Sequence, residues 1–158
     1  MKPVRVSIET ARSQEEVYDF LDVMANHQSF NDHFLVDWEY SGAERGVGSR
    51  ARVRTRGGLG TDVIDIQVVS ARAPAMIVEE NIGANGRRRA TGTYTLEERP
   101  GGGTRVVFEY AWRQAPLEER IAAPLVRAFV RRGTERAMQR LADRLAARRA
   151  ADDRVDGR

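Results

Sequence analysis

Apolar and polar residues alternate at the start of the chain, with Val4, Val6 and Ile8 set between Arg5, Ser7 and Glu9; a period of two is that of a strand with one face buried. Ser13 and Glu16 have the spacing of a capping box, and Val17, Phe20, Leu21 and Met24 follow at helical intervals, predicting a helix over 14–25. The turn-rich run Asn-His-Gln-Ser-Phe-Asn-Asp-His-Phe-Leu over 26–35 predicts a short helix or loop. From Val36 the period of two returns and persists, predicting six strands near 36–41, 48–56, 61–71, 76–83, 88–98 and 104–114. Gly57-Gly58-Leu59-Gly60, Asn85-Gly86 and Pro100-Gly101-Gly102-Gly103 punctuate them with hairpin chemistry, so sequential antiparallel pairing is expected.

After Pro116 the period becomes helical and runs to about Arg149. Val126, Phe129, Val130, Gly133, Ala137, Leu141 and Leu145 form one face, with Arg127, Arg131, Glu135, Arg136 and Arg140 opposite. Pro124 lacks the amide that would bond the carbonyl of Arg120, so the helix should kink there or begin anew. Residues 150–158 are charged and aperiodic, and are expected to fray. The expectation is one domain over 1–149 without repeats.

Composition narrows the class. At 158 residues folding hides roughly 70% of the surface of the unfolded chain, enough for one core. Residues are 41% hydrophobic and 31% charged, and no apolar run approaches a membrane span; with no secretory apolar region and no cysteine, a cytoplasmic location is expected. Net charge is only +3, and the pI near 9.8 reflects cations that are almost all arginine, so nucleic acid is not an expected partner.

The order strand, helix, short helix, six strands, long helix resembles the START/Bet v 1-like (SRPBCC) superfamily, whose bacterial members include polyketide cyclase/dehydrase-like proteins. The segments Val-Ser-Ile-Glu-Thr-Ala-Arg-Ser-Gln-Glu-Glu-Val-Tyr-Asp-Phe-Leu, Gly-Thr-Tyr-Thr-Leu-Glu-Glu, Gly-Gly-Thr-Arg-Val and Ala-Pro-Leu-Val carry the resemblance over nearly the whole chain. It implies an α+β helix-grip fold, in which a curved antiparallel sheet of about seven strands wraps a long C-terminal helix and leaves a cavity between them. These are scaffold signatures, which speak to fold more than to function.

Strand phase indicates what faces that cavity. Arg50, Arg52, Arg54 and Arg56 share one face of their strand and must meet water, sending Ala51, Val53 and Thr55 inward. The same reasoning sends Ile64, Ile66, Val68, Tyr94, Leu96, Val106, Phe108, Tyr110 and Trp112 inward, joined by Trp38 and Tyr40. With Phe129, Gly133 and Ala137 from the helix, the expected ligand-binding set is Trp38, Val53, Ile64, Ile66, Glu80, Tyr94, Phe108, Tyr110, Trp112, Phe129, Gly133 and Ala137. Glu80 is included because a regular pleat puts Met76, Val78, Glu80 and Ile82 on one face, the carboxylate among apolar side chains; a bulge or an arginine partner would instead turn it outward. An aromatic stripe of this kind also suits a filled, dry core.

His27 and His33, six apart with Asp32 and Asp37 nearby, do not have a metal-ligand pattern and are expected at the surface or the cavity mouth. No metal or cofactor is expected. No Gly-x-Ser-x-Gly elbow is present, and the glycines at 57, 58 and 60 are followed by no helix, which excludes a phosphate loop and leaves a hairpin tip that could gate the cavity. The expected function is binding or carriage of a small hydrophobic ligand, lipid-like, aromatic or polyketide-like, by a monomer or homodimer without integral membrane association. The alternatives are a metal-free cyclase/dehydratase-like enzyme using the same cavity, with no catalytic residue assignable, and a protein-interaction module with a filled core.

Overall fold

The computed structural model describes residues 1–57 and 61–156. The order is β1 (Val4–Thr10), α1 (Gln14–Leu21), α2 (Met24–Asn31), β2 (Leu35–Gly42), β3 (Ser49–Thr55), β4 (Val63–Arg72), β5 (Met76–Gly83), β6 (Arg88–Glu98), β7 (Thr104–Gln114), α3 (Leu117–Ile121) and α4 (Ala123–Asp156), with one short 3-10 turn at Ala84–Gly86. The strands form one curved antiparallel sheet in the order β1-β7-β6-β5-β4-β3-β2. Hairpins make every neighbour pair except β1 with β7, which brings the N-terminal strand to the edge beside the last. Gly103 turns the β6–β7 hairpin at φ 81°, and a Cβ there would stand 2.4 Å from the Thr10 carbonyl oxygen, so only glycine fits.

The predicted capping box is present at α1: Ser13 accepts from the Glu16 amide and Glu16 from the Ser13 amide. The helix predicted over 14–25 ends earlier, at Leu21, and the short helix expected within 26–35 begins already at Met24. The chain breaks at Val23, which bridges Arg45, and α2 side chains bond the free carbonyls at the end of α1: Asn26 Nδ2 donates to Phe20 at 2.8 Å and His27 Nε2 to Leu21 at 2.7 Å. The polar residues that read as turn formers serve as the cap between two short helices.

Pro124 stands in the first turn of α4, after a break at Ala122 (φ −87°, ψ 19°). In the C-terminal segment, where a frayed tail is expected from Ala150, α4 continues to Asp156. Buried Arg12 holds it there, bonding the Leu145 carbonyl at 3.2 Å, Glu16 at 2.7 Å and Asp152 at 2.6 Å. The core lies between the inner face of the sheet, α1, α2 and α4, with Val17, Leu21, Phe30, Ile77, Val106, Met138, Leu141 and Leu145 nearly inaccessible. Among the described residues no helix is long and apolar enough to cross a membrane.

Candidate functional site

The core is not filled. Between the sheet, α2 and the first half of α4 lies a cavity of about 140 Å³, comparable with an engineered cavity of about 150 Å³ that accepts benzene. Of the side chains expected on its wall, Trp38, Ile64, Ile66, Tyr94, Phe108, Tyr110, Trp112, Phe129 and Ala137 line it.

Three expected members do not. Val53 is fully buried in the core beyond the cavity wall. Gly133 is covered by a neighbouring side chain: a Cβ there would meet the ring of Phe34, itself a cavity-lining residue, at 3.0 Å, so the missing side chain seats that ring against α4. Glu80 is on the outer face, 41% exposed and 3.2 Å from Arg89. The pleat of β5 has the opposite phase to the expected one, with Ile77, Glu79 and Asn81 inward and Met76, Val78, Glu80 and Ile82 outward and half-buried. Tyr40 is also displaced, because a register shift between Val36 and Glu39, with Asp37 at φ 55°, re-phases β2 and leaves it 44% exposed. The hairpin-tip glycines 58 and 60 lie outside the described residues.

The carboxylate inside the cavity is therefore Glu79, and opposite it stands His27, which the sequence reading put at the surface or the cavity mouth. Both are buried. Glu79 Oε1 lies 3.2 Å from His27 Nδ1, within ion-pair range but without hydrogen-bond alignment, so this oxygen lacks a hydrogen-bonding partner. Nε2 is committed to the Leu21 carbonyl. With acceptors facing both ring nitrogens, the doubly protonated imidazolium is the form that suits the site. Burial lowers the histidine pKa, but the Glu79 carboxylate and the Leu21 carbonyl outweigh it and the net shift is upward. Tyr94, edge-on to His27 with ring centroids 5.6 Å apart, is held neutral to well above its ordinary range, chiefly by burial and further by the charge of Glu79.

Cross-strand register explains how polar groups gather here. Asn81, Ala90 and Trp112 are direct partners across β5, β6 and β7, as are Glu79, Gly92 and Tyr110. The middle strand contributes only alanine and glycine to these two rows, which makes a trough between polar side chains on its flanks. Phe108 and the Asn81 amide lean into the space above Gly92, where a Cβ would meet them at 3.2 and 3.3 Å. Asn81 Nδ2 and Trp112 Nε1 are buried donors without a partner in the structure. Trp38 Nε1, by contrast, donates to the Leu35 carbonyl at 2.9 Å.

Toward the N-terminus of α4 the cavity adjoins an outer cleft, with Thr55, Arg88, Val126 and Phe129 on the boundary. Arg88 spans this mouth, pairing with Asp62 ahead of β4 and with Glu119 of α3 at 2.7 Å, its side chain 14% exposed. Burial pushes the nearby Tyr110 hydroxyl up to about 12 against the opposing charge of Arg88. The second histidine, His33, bonds the Gly133 carbonyl at 3.0 Å and Arg140 at 3.1 Å, tying the end of α2 to α4 outside the cavity wall.

No curated protein matches the sequence. Among solved structures, the chain is similar to TTHA0849 from Thermus thermophilus, with 18% identity, a TM-score of 0.70, and 92% of this chain and 98% of that one covered. A START superfamily protein from Mycobacterium smegmatis is similar at 12% identity and TM-score 0.71, covering 92% and 97%. DynU16, a putative protein in the dynemicin biosynthetic locus, is similar at 18% identity and TM-score 0.64, covering 92% of this chain and 48% of that one. At these identities the likeness establishes the helix-grip fold. Residues 1–148 match the family model described as polyketide cyclase / dehydrase and lipid transport, and the chain belongs to that family.

Proposed function

We propose that this protein binds a small hydrophobic molecule in the cavity between the sheet and α4. The observation that carries the reading is the cavity itself, a space of about 140 Å³ walled by aromatic and aliphatic side chains in a domain long enough to have packed solid. Its presence speaks against the filled core on which an interaction-module reading rests. Native mass spectrometry of freshly purified protein, followed by organic extraction, tests the proposal. A stoichiometric apolar compound released on denaturation supports it; a clean mass that no apolar compound shifts at any concentration overturns it.

A second reading, a cyclase- or dehydratase-like enzyme in the same cavity, is favoured by the buried His27–Glu79 pair. Such reactions move a proton from carbon next to a carbonyl, and a desolvated carboxylate facing a cavity is placed to accept one while buried donors stabilise the enolate oxygen. Exchange of the methyl protons of acetophenone in deuterium oxide tests it. Acceleration by the protein that is lost in Glu79→Gln supports the enzyme reading, and an exchange rate unchanged by the protein opposes it.

A further inference from the structure

Three buried polar atoms on the cavity wall lack a hydrogen-bonding partner: the acceptor Glu79 Oε1 and the donors Asn81 Nδ2 and Trp112 Nε1. Their residues all line the cavity. Glu79 is 4% and Asn81 8% exposed, so water from outside does not reach these groups freely. Buried polar groups are nearly always paired in native proteins, and one left unpaired is costly. Two unpaired donors and an acceptor held only by its ion pair with His27, gathered around one small space, are therefore an imprint of what completes them. The rows Asn81–Ala90–Trp112 and Glu79–Gly92–Tyr110 are adjacent along the strands, so the acceptor and the first donor sit two residues apart on β5 while the second donor faces them across β6.

We infer that the cavity takes a planar apolar molecule bearing both a hydroxyl and a carbonyl, the hydroxyl donating to Glu79 and the carbonyl accepting from Asn81 and Trp112. This inference rests on the proposed binding in the cavity. The polar wall argues against one neighbouring class: a plain hydrocarbon would leave both buried donors unpaired. The aromatic wall supplied by Tyr94, Phe108 and Trp112 selects a flat body.

A matched set of probes tests the inference: meta-hydroxyacetophenone, acetophenone, meta-cresol and ethylbenzene, titrated into the intact protein and followed by a nitrogen–proton correlation spectrum. The two tryptophans give an internal control, since the indole of Trp38 already has an acceptor and that of Trp112 does not. The expected order of affinity places meta-hydroxyacetophenone first and ethylbenzene last, with each oxygen function worth roughly tenfold. The Trp112 indole signal should move downfield with the two ketones and not with ethylbenzene, while that of Trp38 stays in place. Asn81→Leu should erase most of the advantage of acetophenone over ethylbenzene, and Trp112→Phe provides the same comparison if Asn81→Leu does not fold. Ethylbenzene binding as tightly as meta-hydroxyacetophenone would leave the cavity as a binding site and overturn the inference about its polar wall. Absence of binding by all four would overturn the inference together with the reading on which it rests.

Discussion

His27 on α2 and Glu79 on β5 face each other at 3.2 Å inside the core, 52 positions apart in the sequence, and form a charged pair within a mainly apolar cavity. Because Nε2 of the same ring ties off the last turn of α1, the pair links the N-terminal helices to the middle of the sheet.

The folded state raises the pKa of His27, so protons bind it more tightly in the native protein than in the unfolded chain. The stabilisation this gives is fully present below the unfolded histidine value of about 6.5 and is lost as pH rises from there through the raised native value. Thermal unfolding followed across that window should show stability falling with pH. Glu79→Gln should flatten this dependence and cost about 1–3 kcal/mol at the low end of the window.

Glu80→Gln should behave quite differently from Glu79→Gln despite being its neighbour. Glu80 and Arg89 are 41% and 48% exposed, a surface pair whose loss changes stability by about 0.5 kcal/mol or less. Urea denaturation of the two variants in parallel checks this, and equal losses would contradict the phase of β5.

Gly92→Ala should shrink the trough. The added methyl meets the Phe108 ring and the Asn81 amide at 3.2 and 3.3 Å, so both must shift into the cavity or away from it. A destabilisation of about 1–3 kcal/mol is expected, with weaker binding of any cavity ligand, measured by calorimetry against the parent protein.

Arg88→Leu should loosen the mouth rather than the core. The guanidinium holds Asp62 and Glu119 together, and without it α3 loses its ionic tie to β6. Faster amide hydrogen exchange over Leu117–Ile121 and faster ligand exit are expected, with α1 and β1 protected as before.

Local regularities determined most of the fold. The period of two from Val36 to Gln114, the turn chemistry at Asn85-Gly86 and Pro100-Gly101, and the capping box at Ser13 each depend on neighbours within a few residues, and the structure places strands β2 to β7 close to where these signals put them. The apolar face of α4 and the outward arginines of β3 were legible for the same reason, since Arg50, Arg52 and Arg54 on one strand face, with Arg56 just beyond it, leave only one choice of which side meets water. The phase of β5 was not legible. With Glu79 and Glu80 adjacent, either pleat buries one carboxylate, and the choice depends on what stands opposite. Inward Glu79 is answered by His27 from a helix half the sheet away in sequence, while outward Glu80 is answered by Arg89. A period specifies alternation, but only tertiary pairing specifies which alternate side finds a partner for a desolvated charge. The same holds for the trough: Ala90 and Gly92 carry no signal of their own in the sequence, and only the cross-strand register sets them between Asn81 and Trp112 and between Glu79 and Tyr110, turning two small residues into space for a ligand.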